Sequence, residues 1–474
     1  MISRTLGRRA VPAAVPILFA ALACVGHAAD SDVSLADAAR EALASNLDLA
    51  TQRRSLAAAR EEIGLARSAL LPQVGVGARG QILDDERSDA LRGNNLQESV
   101  LVAAGLSQEL YDEQSWAGFE IEKHVYETRS QQLEGFRLSV IEEAADAFLA
   151  LDRAQRELEI QLRNRELTRD NLETSRARIA AGYSGEREFL RWEDQLASND
   201  GAVRDAQVQA LQNRLELNRV RNLAPEAAVR ALPASVEEYG FVYARQAVAK
   251  AVLAPEADRR MRDFLVRAGL RRSPDLAALD ASIAAAERQL TASRRAFWVP
   301  SLTLSAGVDY LFNSGPDEDF NQTEWLVRGE IFFPLFQGGA KFAGLDQARQ
   351  TLASARTERR ATAQSLERTI RSAFAEASGS FENVGFARRR VEAARRNFEL
   401  VDASYTLGVA SILDLLDAQS QRLTAELALA GAITGFLGDV VAAERALSFY
   451  AFLEPPAEVS AVLEDLEREL GQRP

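Results

Sequence analysis

Cysteine and histidine are nearly missing from this chain of 474 residues. The one cysteine is Cys24, and the two histidines are His27 and His124. So thin an inventory argues against a disulfide framework and against most nucleophilic and transition-metal chemistries. Long apolar runs are missing too. Beyond the first 28 residues no run of roughly 18 apolar residues occurs, so no membrane-spanning helix is expected there. Basic residues are outnumbered, 56 Lys and Arg to 69 Asp and Glu, for a formal net charge of −13. A nucleic-acid binder should show a basic stripe, and that class is set aside.

The opening residues combine Arg4, Arg8 and Arg9 with an apolar run and small residues up to Ala28. This is the pattern of a secretory signal peptide, residues 1–28. Cleavage there would remove Cys24 and His27 and make the remaining chain more acidic still. Lipidation of Cys24 ranks second, because Ala21-Leu22-Ala23 places Leu one position late for a lipoprotein signal.

Along the chain a helical pattern from Ser34 to Leu71 stops at Pro72. Val74, Val76, Ala78 and Ile82 then alternate with small or polar residues, a strand signal, and VLVAAGLSQEL over Val100–Leu110 is a second. Helical character fills Glu113 to Ala181, breaks at Gly182, and resumes from Glu186 to about Arg221. The order then returns. A helix over Ser273–Pro300 precedes the strands SLTLSAGVDYLF and WLVRGEIFFPLF, and helices follow over Lys341–Leu407 and Ser411–Tyr450. Asp48 matches Asp275, Leu110 matches Leu335 and Gly182 matches Gly408, offsets of roughly 226 residues, so the chain is a tandem duplication. The units are read as 29–224 and 273–452, joined by a less regular inter-repeat segment, 225–272, which carries a helix signal at FVYARQAVAKAVL. An acidic tail, 453–474, is expected to be partly disordered.

A helix from Glu113 to Ala181 is roughly 100 Å long and must gain its stability from sideways packing. The shorter helices, about Ser34–Leu71 and Glu186–Arg221, could stack end to end beside it. Leu416, Leu423, Ala430 and Leu437 recur every seven residues, a coiled-coil seam. Four strands cannot close a barrel, which needs about eight, so a closed barrel requires several chains. At about ten residues each, the strands suit an outer-membrane crossing. Arg328 and Glu330 alternate with Val327, Gly329 and Ile331, as a polar lumen and an apolar exterior demand, and aromatics from Trp298 to Phe336 cluster at the strand ends.

Several motifs have plainer readings. Gly75 to Gly80 fits GxGxxG but lies inside a strand rather than between a strand and a helix. Gly338-Gly339-Ala340-Lys341 lacks the phosphate-loop spacing and marks a strand-to-helix turn. His124 has no neighbouring ligand candidates.

The stretch YTLGVASILDLLDAQ, Tyr405 to Gln419, is read as a helical hairpin tip. Gly408 ends one helix in a left-handed conformation, Ser411 caps the next, and Asp414 sits in its first turn. Asp414 and Asp417, three apart, share one face. By itself this pair is two solvated acids near a helix start.

The segments SALLPQVGV, QELYDEQSWAGFEIEK, FFPLFQGGAKFAGLDQAR and FELVDASYTLGVASILDLLDAQSQRLTAE resemble the outer-membrane efflux, or TolC-like, family, from Ser34 to Tyr450. The resemblance implies a mainly α fold with a membrane β-barrel: a homotrimer whose four strands per protomer make a 12-stranded barrel, above a long α-helical coiled-coil tunnel. It implies a passive exit duct in the outer membrane with a periplasmic extension, in contact with outer-membrane lipid. Its partners would be a periplasmic adaptor (membrane fusion) protein and an inner-membrane transporter of the RND, ABC or MFS type. No catalysis, cofactor or metal is implied. By the family's second-hairpin motif, Tyr405, Asp414 and Asp417 fall at the pore constriction, and the internal repeat aligns Glu188 with Asp414. Glu188 is also a candidate acceptor for a hydrogen bond from Tyr405 to a neighbouring tip. Gly182, Gly408 and Ser411 mark the tips that would meet the adaptor. An Arg that some members carry after the tip would fall at Ala410, and Arg187, Glu188 and Arg191 make the first tip more charged than expected. Two alternatives stay open: a dedicated type I protein-secretion duct, and, in another class, a soluble periplasmic coiled-coil adaptor or scaffold.

Overall fold

The computed structural model describes residues 31–82, 84, 98–180, 185–244, 255–312 and 323–470. The signal segment with Cys24, the tip at Gly182, and most of both strand-connecting loops and of FVYARQAVAKAVL lie outside the described residues.

Two long helices, α3 (Glu113–Ala180) and α8 (Ala340–Thr406), organise the chain. Each is followed by a helix half its length, α4 (Glu186–Val220) after α3 and α9 (Ile412–Ala446) after α8. The helix expected over Ser34–Leu71 is two, α1 (Leu35–Ser45) and α2 (Leu47–Ser68). Asn46 between them leaves the helical region at ψ 127° and caps α2 by accepting the Leu49 N–H at 2.9 Å. Its amide nitrogen donates to the Val220 carbonyl at 3.1 Å, and Ser45 Oγ to that of Arg221 at 2.7 Å. The break is thus where α2 meets the end of α4, and the two shorter helices stand in line beside α3 as their lengths imply.

The second repeat has the same joint. Helices α6 (Pro255–Arg272) and α7 (Pro274–Arg295) meet at the N-cap Ser273, so the stretch read as irregular contains an 18-residue helix. Its apolar residues Met261, Leu265 and Val266 are buried. Near the sheet α3 packs between α2 and α7, and lower down between α4 and α9, while α8 packs on α7 and α9. The helices therefore form four columns in the order α2/α4, α3, α7/α9, α8. By length and composition α9 could cross a membrane, unlike the expectation from apolar runs, but here it lies along α3 and α8.

The main core sits at mid-height. It joins Phe148 and Leu151 of α3, Ile370 and Phe374 of α8, and Phe436 and Tyr450 at and beyond α9. Strand β1 (Ser31–Val33) pairs in parallel with β4 (Val229–Ala231), and the short helix α5 (Val236–Tyr239) follows. Most of the acidic tail is helical: Pro456–Glu469 forms helix α10, with Leu463 and Leu466 buried against this core, and residues 471–474 lie outside the described residues. Apolar residues at 459, 462, 463 and 466 give it one sticky stripe despite its charge.

At the far end β2 (Gln73–Ile82), β3 (Glu98–Tyr111), β5 (Ser301–Phe312) and β6 (Thr323–Phe332) form one antiparallel sheet in that order. The two repeats join at β3–β5, where Gly105 faces Gly307. Buried Glu113, at the start of α3, accepts from the Tyr111 hydroxyl of β3 at 2.6 Å and pairs with Arg288 at 2.7 Å and Arg295 at 3.2 Å of α7, so it ties the sheet to two helices.

Candidate functional site

Two regions carry the features that the sequence singles out, the sheet faces and the hairpin tips. In the sheet the register places Arg79, Asp309, Glu324, Arg328 and Glu330 on one face, with Ser305 opposite Arg328 and Thr303 opposite Glu330. The other face carries Val74, Val76, Val100, Val308, Tyr310, Trp325, Val327 and Ile331, all exposed. Side chains alternate across a strand, so a period-two sequence sorts itself into one wet and one greasy face. Tyr310, Phe312 and Trp325 lie toward one end of the apolar face. Trp298, Phe333 and Phe336 lie toward the other, where the sheet meets the helices. That is the double belt of a lipid-facing barrel wall.

At the opposite end of the molecule α8 stops at Leu407. Gly408 adopts φ +75°, a conformation that costs little without a Cβ. The Gly408 N–H donates to the Tyr405 carbonyl at 3.0 Å and the Val409 N–H to that of Ser404 at 2.9 Å, which together form a Schellman closure. Ser411 then opens α9 with both halves of a capping box. Its hydroxyl accepts the Asp414 N–H at 3.3 Å, and Asp414 Oδ2 accepts the Ser411 N–H at 2.9 Å. The Ser411 hydroxyl and backbone hold the Asp414 carboxyl below its usual range. Asp417 accepts from Gln421 Nε2 at 2.7 Å. Both acids are exposed on one face of α9, while Leu415 and Ala418 are buried on the other.

Tyr405, only 7% exposed, packs with Trp192, Phe398, Leu415 and Ala418. Its hydroxyl donates to Glu188, in the first turn of α4, and the Arg178 guanidinium lies 4.9 Å from its ring centre. Burial, then the bond to Glu188, raises the phenol's pKa, so it remains a donor. Ala410, where the resemblance suggested an Arg, packs against the same cluster. The structure thus brings Tyr405 and Glu188 together and keeps Asp414 and Asp417 apart from them, on the exposed face.

Sequence reasoning missed a buried polar layer just above the tip. Gln419 Nε2 donates to Asn164 Oδ1 at 2.9 Å and to Thr168 Oγ1 at 2.7 Å, and Asn199 Nδ2 donates to Thr168 Oγ1 at 2.8 Å. It links α3, α4 and α9. The available signal was the pair Asn164 and Thr168, one turn apart in a packed helix. Among the described residues no group of His, Cys, Asp or Glu is placed to hold a metal ion.

The outer membrane efflux protein family model matches residues 38–222 and 265–449, one match per repeat. The outer membrane protein TolC of Salmonella enteritidis is 25% identical over 411 residues, covering 83% of this chain and 77% of that protein. TolC of Vibrio cholerae serotype O1 is 25% identical over 411 residues, covering 85% and 86%. Among solved structures, the outer membrane protein VceC from Vibrio cholerae superposes with TM-score 0.71 at 17% identity, covering 89% of this chain and 97% of that one. The outer-membrane channel OprN gives 0.69 at 22%, covering 89% and 91%. With both repeats matched, and a lipid-type strand face above long helical hairpins, this chain belongs to the outer membrane efflux protein family, a family of outer-membrane channels.

Proposed function

We propose that three copies of this chain close into one export duct, the outer-membrane part of a tripartite assembly with a periplasmic adaptor and an inner-membrane transporter. The observation that carries this reading is the pair of open edges in the sheet. Among the described residues strands β2 and β6 each lack one neighbour, and in a four-stranded antiparallel sheet they run in opposite directions. β6 of one copy can therefore pair antiparallel with β2 of the next. Three copies supply ~12 strands, enough for a barrel, which one copy cannot make.

The helices support the same closure. The outer columns are α2/α4 and α8, and each carries exposed apolar residues that no helix among the described residues covers. On α8 Val384, Val391, Phe398 and Tyr405 face inward at seven-residue spacing, while Phe386 and Leu400 stand exposed on the opposite side. On α4 the exposed residues are Leu190, Val208 and Leu211. A neighbouring copy that joins α8 to α4 would bury both sets. In that ring Asp414 and Asp417 of three chains would line the narrow end, and the tips around Gly182, Gly408 and Ser411 would meet the adaptor.

Light scattering of the protein in mild detergent should give the mass of a trimer. A folded, stable monomer would overturn the reading.

A further inference from the structure

Behind the mid-height core, beneath helix α10, lies a cavity of about 300 Å³. At its wall is Glu444, near the end of α9, with only 1% of its surface exposed. One carboxyl oxygen accepts the Ala451 N–H at 3.2 Å, and Oε2 has no partner among the described residues. Every other charged group lining the cavity is also acidic, namely Glu237 and Glu238 of α5. The rest of the wall includes Tyr239, Phe241 and Phe452, with Tyr239 and Phe452 edge to face at 6.4 Å.

No basic side chain among the described residues lines the cavity, and the nearby bases already have partners, one of them the wall residue Glu237. Arg445 donates to Ser139 Oγ at 3.2 Å and lies 3.7 Å from Glu142 of α3. Arg388 of α8 is 3.5 Å from Glu237, and Arg272 of α6 lies 4.7 Å from the Phe449 ring centre. On α3 the facing groups, Glu142 and Asp146, are acids, and the Tyr450 hydroxyl donates to the Leu138 carbonyl at 2.9 Å.

A buried carboxyl oxygen without a donor among the described residues, beside aromatic rings, suits a cation; the exposed Glu237 and Glu238 already have Arg388 and Tyr239 as partners. The acids of the described residues are not grouped tightly enough for a metal ion, and ring faces favour an organic cation. We propose that this cavity binds a small primary alkylammonium ion, with Glu444 Oε2 accepting from its N–H and the rings enclosing its carbons.

Without a cation, burial raises the Glu444 pKa well above the usual carboxylate range. Binding then converts the carboxylic acid to a carboxylate paired with the ammonium group. The displaced proton goes to the buffer, so charge balances and binding releases protons.

The test is calorimetric titration of the whole protein in detergent with n-butylammonium chloride near pH 7, in two buffers of different ionisation heat. Saturable binding with net proton release is expected. Glu444→Gln, which keeps the shape, should weaken binding about tenfold or more and abolish the release. Val459→Trp fills the cavity from α10 without touching the acid, and it should abolish binding while a thermal melt shows the fold intact. No saturable heat in the parent, binding without proton release, or equal affinity in Glu444→Gln would each overturn the proposal.

Discussion

Tyr405, near the end of α8, donates its hydroxyl proton to Glu188, in the first turn of α4, so one hydrogen bond links the two hairpin tips within a single chain. The acceptor is the candidate that the sequence offered for a bond to a neighbouring tip, and in this structure it belongs to the donor's own chain. The bond lies beside a sealed cluster containing Trp192, whose side chain is fully buried. Its loss would free the α9 tip from α4 while the packing beneath it stayed in place.

Tyr405→Phe and Glu188→Gln should therefore each raise the resting conductance of the channel in planar bilayers, with a stability loss of about 0.5–1.5 kcal/mol. The double variant should add little to either single change, because both remove the same bond. Unchanged conductance in all three variants would show that the bond does not hold the aperture.

Asp414 and Asp417 differ in their work although they share a face. Asp414 completes the capping box, whereas Asp417 accepts a hydrogen bond from Gln421. A ring of carboxylates from three chains would attract cations into the aperture. Asp414→Ala plus Asp417→Ala is expected to weaken block by multivalent cations in conductance recordings, and each single change should weaken it in part. Only Asp414→Ala should also lower thermal stability. Its pKa is depressed in the folded chain, so its stabilising effect is present above the unfolded carboxylate range and is lost as pH falls through the folded value. The melting difference between Asp414→Ala and parent should accordingly vanish in acid. Equal cation block in the double variant and the parent would remove both residues from the aperture.

Gly408 turns the chain at φ +75°, and beyond its chain neighbours no atom of the described residues lies within 4 Å of where a Cβ would stand. Space is therefore not the obstacle to a side chain; backbone conformation is. Gly408→Val should reshape the tip without disturbing the sheet or the mid-height core. Export should fall while the amount of protein in the outer membrane stays normal, and undiminished export would count against adaptor contact at this turn.

Much of the molecule follows from local sequence. The 3.6 and two-residue periodicities place the long helices and the strands within a few residues of where they stand, because each pattern buries one face in only one type of element. The capping chemistry at Ser411 and Asp414 and the turn at Gly408 depend on residues within a few positions of each other, and so they are legible without a fold. The repeat offset pairs Glu188 with Asp414, and the resemblance supplied the assembly.

Other features were settled by contacts far apart in sequence. Asn46 looks like one polar residue in a helix until the end of α4 supplies the carbonyl that its amide meets, and then the helix breaks there. The acidic α10 becomes ordered because the mid-height core accepts its apolar stripe. Gln419 lies some 250 residues from Asn164 and Thr168 along the chain, and only tertiary packing turns three ordinary polar side chains into a buried hydrogen-bonded layer. The fate of Glu444 is of the same kind: its sequence neighbours gave no hint of burial, and only the packing of α5, α9 and α10 withdrew it from water. Local patterns encode which face of an element is apolar, but desolvation of a polar group depends on what arrives from elsewhere, and that is a property of the tertiary structure.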